Sequence, residues 1–338
     1  TFNTAGICHC SGINSCCGLP DRDTGAPSLL RLILKRLLTA IPTLLVLVTA
    51  AFFLMRAVPG GPFAGERNLT PQVEQNLRAA YHLDESLGMQ YLRYLGGLLQ
   101  GDLGPSFQYP DYSVAELIAA GLPYSLQLGG LAFLLALAVG IPAGVVAARH
   151  ANSPTDMGIM AFCLVGISVP NFVVAPLLVL VFAIHLDWLP AMAVEAGRGM
   201  GLRNMVLPVI ALALPQIAYI ARITRSSMLD VLGAGYITMA RARGLSERRV
   251  LWGHALRPAL LPVASYLGPA AAALLTGSVV VEQIFGIPGI GRYFVQGAVN
   301  RDYTLVMGVV VFYGTLVIGF NMLVDISYRL IDPRLRRS

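Results

Sequence analysis

A chain of 338 residues, 56% hydrophobic and only 12% charged, with a mean hydropathy of +0.67, lies far from soluble domains, where about a quarter of residues are charged. The net charge is +6, and of the 24 basic residues all but Lys35 are arginine. A phosphate-binding loop needs a Gly-Lys pair, whereas Lys35 follows Leu34, so ATP-driven work has to be powered from outside this chain.

In chain order, residues 1–28 come first. They hold Cys8, Cys10, Cys16, Cys17 and His9 without any apolar period, and C-x-C followed by adjacent cysteines is not a zinc-ligand spacing. They read as a disordered or added extension. Charge-free apolar runs follow at 37–55, 122–148, 157–186, 204–221, 258–281 and 303–324. Each is near or above the roughly 20 residues that a helix needs to cross a bilayer. The first is longer than the roughly 7–15 apolar residues of a cleaved signal. Six spans is the simplest count, and Pro170 and Pro176 leave room for a longer, tilted helix in the third run.

Between the first two runs, residues 58–121 carry seven acids against Arg67, Arg78 and Arg93. Arg31, Lys35 and Arg36, then Arg149, then Arg222 to Arg257, and finally Arg329 to Arg337 flank the other ends of the spans. The positive-inside rule therefore puts both termini and the arginine-rich loop in the cytoplasm, with 58–121, 187–203 and 282–302 outside. In the first outer segment Thr70-Pro71 offers a helix start, 81–99 sets aromatics and leucines at helical spacing, and Ser113 with Glu116 forms a capping box. The predicted organisation is an extension (1–28), a first membrane helix (29–57), an extracytoplasmic cap (58–121), a transmembrane core (122–326) and a cytoplasmic tail (327–338). Apart from the extension, the predicted class is an all-α polytopic membrane protein.

Every span but the last contains proline, and Gly129-Gly130, Gly140, Gly144 and 270–273 supply small faces for close helix approach. Glu282 falls at the outer end of the fifth span and Asp325 at the inner end of the sixth, so no chain of intramembrane acids or histidines supports ion-coupled transport. No buried Asp–Asp or Ser–His pair supports an intramembrane enzyme, and no catalytic residue is assigned. Only His185 and Cys163 lie near a span as metal ligands, so no metal site is assigned, and Cys163 reads as packing. The polar candidates for lining a path are Ser168, Asn171, Gln216, Tyr219, Ser265, Tyr266, Thr276 and Ser278. Interhelical hydrogen bonding is the alternative role for each.

The loop at 233–262 sets Arg241, Arg243, Arg248, Arg249 and Arg257 against Glu247 alone. Its spacing predicts a helix over 236–243, ended by Gly244 in the left-handed C′ position with Leu245 as the closing apolar contact. A second helix is N-capped by Ser246, with Arg248 and Arg249 outward and Val250, Leu251 and Leu256 toward the bundle. A basic surface over an apolar underside suits contact with another protein.

The stretch ARARGLSERRVLWGHALRPALLP (240–262) resembles the cytoplasmic EAA loop of bacterial ABC importer permeases, in the peptide/nickel branch. Of the pattern E-A-A-x3-G-x9-I-x-L-P it keeps Ala240, Gly244 and Leu256, with Thr238 at the Glu position and Arg257 at the Pro position. VPGGPFAGER (58–67), QGDLGPSFQYPDYSV (100–114), SVPNFVVAPLL (168–178), VVEQIFGIPGIGRYFVQGAVNRDY (280–303) and DPRLR (332–336) are similar to the B-type membrane subunit of oligopeptide permeases. Residues 63–67 and 106–113 look closer to oligopeptide than to dipeptide systems.

That resemblance implies a type I ABC importer permease of six transmembrane helices in the bacterial inner membrane. It implies coupling through Tyr236, Ala240, Arg241, Ala242, Gly244, Leu245, Arg248 and Arg249 to a groove in an ATPase. The implied partners are a second homologous permease, two ATPases that hold ATP and Mg, an extracytoplasmic peptide-binding protein, the peptide and the lipid bilayer. No cofactor on this chain and no nucleic acid are implied. A permease for dipeptides, nickel or another small solute is the alternative within the branch.

Overall fold

The computed structural model describes residues 29–57, 72, 75, 83–109, 111–193 and 201–331. The extension at 1–28, the helix start at Thr70-Pro71 and residues 332–338 of the tail lie outside the described residues. Among the described residues there are helices and one isolated bridge, Pro105 with Ser113, but no strand. Helices satisfy every backbone group within the segment, as hydrocarbon demands.

Helix α1 (Leu29–Ala57) is followed by the short α2 (Leu87–Leu99), α3 (Val114–Arg149), α4 (Pro154–Ser168) and α5 (Asn171–Leu178), which runs on as a π-helical segment, Val179–His185. Then come α6 (Leu202–Leu232), α7 (Gly235–Ala242), one turn α8 (Glu247–Arg249), a π-helical segment Val250–Ala255, α9 (Leu256–Phe285), α10 (Ile290–Val299) and α11 (Tyr303–Ile331). Five of these stretches are long and apolar enough to cross a membrane, or six where α4 and the bent α5 arm count together as one broken span.

The break replaces the single tilted helix allowed from the third apolar run. The two arms meet at 106°. Val169 is extended at φ −88°, ψ 119°, and Pro170 at φ −62°, ψ 145° opens α5. The ring of a proline disfavours the helical conformation in the residue before it, and here Val169 leaves that conformation and α4 ends. At its start α4 has Pro154 in the first turn and Ser153 accepting a hydrogen bond from the Asp156 amide at 3.4 Å.

The outer-segment helix forms as α2. It lies against the end of α1, where Tyr91 meets Phe52 edge to face at 5.2 Å and shares a 2.6 Å hydrogen bond with Thr49. The capping box also forms: the Glu116 amide donates to Ser113 Oγ and the Ser113 amide donates to Glu116 Oε2. It starts α3 two turns ahead of the apolar run that begins at Leu122.

The core is the seam between α3 and α6, with α9 laid across it. Leu128, Ala132 and Ala136 of α3, Met205, Leu212 and Ile220 of α6, and Leu274, Val281 and Phe285 of α9 form one buried cluster. Gly140 and Gly144 bring α3 and α6 to backbone contact: a Cβ on Gly140 would lie 2.9 Å from the Ile217 carbonyl oxygen, and one on Gly144 would lie 2.5 Å from that of Ala221. Cys163 packs against Ala218 and Ala221 on the other side of α6, as its sequence reading expects. The outer face of α1 leaves Leu37, Leu38, Ile41 and Leu45 exposed, as apolar solvent or a partner would require.

Gly144→Ala should therefore lower the thermal unfolding midpoint in detergent, at a cost of about 1–3 kcal/mol for overpacking. Gly130→Ala, whose Cβ meets nothing within 4 Å, should leave the midpoint unchanged or slightly raised.

Candidate functional site

The arginine-rich loop folds as a two-sided element. α6 ends at Leu232, and Ala234, extended at φ −74°, ψ 144°, turns the chain into α7. Ile237 is wholly buried, and Val250, Leu251, Ala255 and Ala259 return to cover it. Val145 and Ala148 at the end of α3 and Met228 of α6 complete the cluster, with Ala240 and Leu245 packed at its edge.

The hinge has the geometry of a Schellman stop. Gly244 sits at φ +78°. Its amide donates to Arg241 O at 2.9 Å, and the Leu245 amide donates to Ala240 O at 3.4 Å. This pairing closes the end of α7 and turns Leu245 inward as the closing contact. No atom lies within 4 Å of a Cβ built on Gly244, so the demand for glycine is conformational.

Ser246 differs from its expected role. It occupies the N-cap position, but its hydroxyl makes no capping bond, and its carbonyl accepts from the Arg249 and Val250 amides. The second helix is also not regular. One α-turn gives way to the π-helical segment Val250–Ala255. That widening keeps Val250, Leu251 and Ala255 on the buried side and leaves Trp252 45% exposed.

The outward side carries Tyr236, Met239, Arg241, Ala242, Arg243, Arg248, Arg249 and Trp252, all exposed. Arg241 is paired with Glu247 at 2.8 Å, which bridges the two arms across the hinge. Arg248 and Arg249 point out as the sequence predicts. Met239 and Trp252 escape the sequence reading. The signal for Met239 is its helical spacing from Tyr236, whereas Trp252 is concealed by the π-helical register.

The eight path candidates separate into groups. Gln216 and Tyr266 meet across α6 and α9, the Tyr266 hydroxyl donating to Gln216 Oε1 at 2.8 Å, and the Tyr219 ring lies 5.9 Å from that of Tyr266. Tyr219 is exposed, so this group has an open side. Ser265 and Thr276 are exposed, and each hydroxyl turns back to its own helix, at Leu261 O and Ala272 O. Ser168 is exposed at the end of α4, and Asn171, just past the bend, buries an Oδ1 without a partner.

Ser278 is no path residue. It is fully buried and donates to Glu282 Oε1 at 2.7 Å. Glu282 is itself fully buried and takes a second bond from Ser125 Oγ at 2.8 Å and a third, on Oε2, from the Gly291 amide at 2.8 Å. Ser125 in turn accepts from the Ile290 amide. One carboxylate thus ties α3, α9 and the first turn of α10, a role that sequence position alone does not give it.

Two more acids do similar work. Asp302 receives the Ser106 hydroxyl and the Phe107 and Gln108 amides on one oxygen, and caps α11 through the Leu305 amide on the other. Asp156 pairs with Arg225 through two bonds of 2.5 and 2.6 Å, joining the start of α4 to α6 close to the loop.

Comparison with known proteins is consistent along the chain. Residues 140–337 match the family described as binding-protein-dependent transport system inner membrane component, and residues 29–128 match the N-terminal region of such components. An oligopeptide transport system permease protein, OppB, of Salmonella typhimurium is 52% identical over 308 residues, 91% of this chain and 100% of the relative. A dipeptide transport system permease protein, DppB, of Bacillus subtilis is 44% identical over 306 residues, 90% of this chain and 98% of the relative. An inward-facing structure of the MetNI methionine ABC transporter aligns with a TM-score of 0.53 at 16% identity, covering 64% of this chain and 97% of that one, a likeness of fold.

Glu282→Leu should orphan the hydroxyls and amide that converge on the carboxylate and cost at least about 2 kcal/mol, read as a lower unfolding midpoint in detergent. Glu282→Gln, which keeps acceptors in place, should cost less than Glu282→Leu. Equal midpoints for Glu282→Leu and the parent would show that the carboxylate clamps nothing.

Proposed function

The chain belongs to the family of binding-protein-dependent transport system inner membrane components, and from that premise we propose that it is a membrane-spanning permease subunit of an ABC importer that translocates oligopeptides. Identity to an oligopeptide permease over that relative's whole length, higher than to the dipeptide relative, supports the substrate class. In this reading a second homologous permease completes the pathway, an extracytoplasmic binding protein delivers the peptide, and two ATPase subunits bind ATP with Mg and hydrolyse it. The arginine-rich loop and both termini face the cytoplasm, because arginines flank those ends of the spans.

The observation that carries the proposal is the two-sided loop. Its outward side, with Tyr236, Ala242, Arg248 and Arg249, meets an ATPase. Its inward side is one cluster with the ends of α3 and α6. A displacement of the loop cannot leave those helices where they were, since interiors packed to this degree transmit strain. The Asp156–Arg225 pair carries the same displacement to α4. Nucleotide state at the partner and access state of the bundle are thereby linked as a coupling free energy. Gln216, Tyr219 and Tyr266, with Ser265 beside them, are the part of the candidate path that the substrate meets: an amide, two rings and hydroxyls that bind peptide backbone and apolar side chains alike.

Gly244→Val places a β-branched residue at φ +78°, at a strain of about 1–2 kcal/mol, and Ala240→Trp forces a bulky ring into the edge of the apolar cluster. In the reconstituted complex both should abolish ATP-driven peptide uptake and the ATPase activity stimulated by the binding protein, while the chain still inserts. Gly244→Asn should retain most of both activities, since asparagine tolerates the left-handed conformation. Parental ATPase stimulation in Gly244→Val and Ala240→Trp would show that the loop is not the coupling element.

A further inference from the structure

Where α1 meets α2, an arginine is held without an acid. Arg56, in the last turn of α1, is half-buried and donates Nε and Nη2 to the single oxygen Oε1 of Gln90, at 3.0 and 2.6 Å. Gln90 is fixed by its own bonds to Leu83 O and Glu85 O. The guanidinium lies 3.9 Å from the centre of the Phe52 ring and 5.7 Å from that of Tyr303. Rings and an amide orient the cation, and among the described residues no carboxylate neutralises it. The neighbouring cation, Arg93, is already paired with Glu85 at 2.6 Å.

These groups line a cavity of about 260 Å³, far more than one water needs. Tyr94 lines it too, with a buried hydroxyl that has no hydrogen-bond partner. Burial pushes that hydroxyl up to about 12, so it remains a donor at neutral pH. A guanidinium and a hydroxyl that face one cavity, the first without a carboxylate and the second without a partner among the described residues, are donors that an oxyanion takes, and arginine suits the two oxygens of a phosphodiester. Asp102, also at the cavity, adds a carboxylate.

The position selects the source. Arg56 ends a membrane span that closes at Ala57, which puts the cavity at the level of the bilayer surface. Phe53 and Leu54, beside it on α1, are exposed and offer apolar surface to acyl chains. We propose that this cavity seats the phosphodiester headgroup of a phospholipid from the leaflet at that end of the bundle, with Arg56 and Tyr94 donating to its oxygens and Asp102 receiving an ethanolamine ammonium. The inference rests on the membrane-spanning fold and not on the peptide reading.

The test uses the assembled complex, delipidated in detergent, with the unfolding midpoint followed as phosphatidylethanolamine is added. The parent should be stabilised in a saturable way. Tyr94→Phe removes an oxygen that has no partner in the fold, so it should leave the lipid-free midpoint alone and weaken the apparent lipid affinity about tenfold, the loss of one hydrogen bond to a charged group. Arg56→Gln should weaken it further. Diacylglycerol with the same chains, and inorganic phosphate alone, should not stabilise the parent to the same extent. Parental affinity in both variants would overturn the proposal. So would equal stabilisation by diacylglycerol, which would make the site one for tails only, or by inorganic phosphate, which would make the source a free ion.

Discussion

The close approach of α3 and α6 is the constraint on which the rest of the molecule depends. With Gly140 and Gly144 facing the Ile217 and Ala221 carbonyls, the two helices are in backbone contact at one end of their shared seam. In lipid, association of helices draws on packing more than on the expulsion of water, so the approach distance sets how much attraction is gained. α9 crosses the seam through Leu274, Val281 and Phe285, and α4 covers the far side of α6 through Cys163. The arginine-rich loop is hung from that pair through Val145, Ala148 and Met228.

Polar chemistry is kept to the ends of the bundle. At one end Glu282 gathers α3, α9 and α10 around a single carboxylate, and Asp302 binds the 106–108 turn to the start of α11. At the other end Asp156 meets Arg225. A buried acid that is satisfied by donors from several helices specifies one arrangement of them, because any shift orphans the donors at a cost. Between these clamps the bundle is largely apolar and proline-bearing, with Gln216, Tyr219, Ser265, Tyr266 and Thr276 among its polar side chains.

The loop at 233–262 is largely legible in the amino-acid sequence. The Gly244 stop, the inward Leu245, Val250 and Leu251, and the outward Arg248 and Arg249 all follow from local rules: which residue tolerates positive φ, and which spacing faces one side of a helix. Ser246 is the exception. A serine at an N-cap position invites a side-chain cap, but here the backbone carbonyl already engages the next turn and the hydroxyl is left out. Trp252 is hidden for a related reason, since a π-helical register moves a residue off the face that a period of 3.6 assigns to it.

What the sequence determined by itself is whatever depends on neighbours within a few turns: the apolar runs and their number, the capping box at Ser113 and the hinge at Gly244. The tertiary structure decided the outcomes that depend on distant partners. Ser278 passed from path candidate to clamp because Glu282 needed donors, one of them Ser125, 157 positions away. Pro170 and Pro176 were visible in the third run and allowed a tilted helix, but the 106° bend between the two arms was not. Arg56 was one arginine among many until α2 folded back with Gln90 and Tyr94 beside it. Spacing along the chain carries period and conformation, whereas burial, pairing and the fate of a charge are settled only when segments far apart in sequence meet.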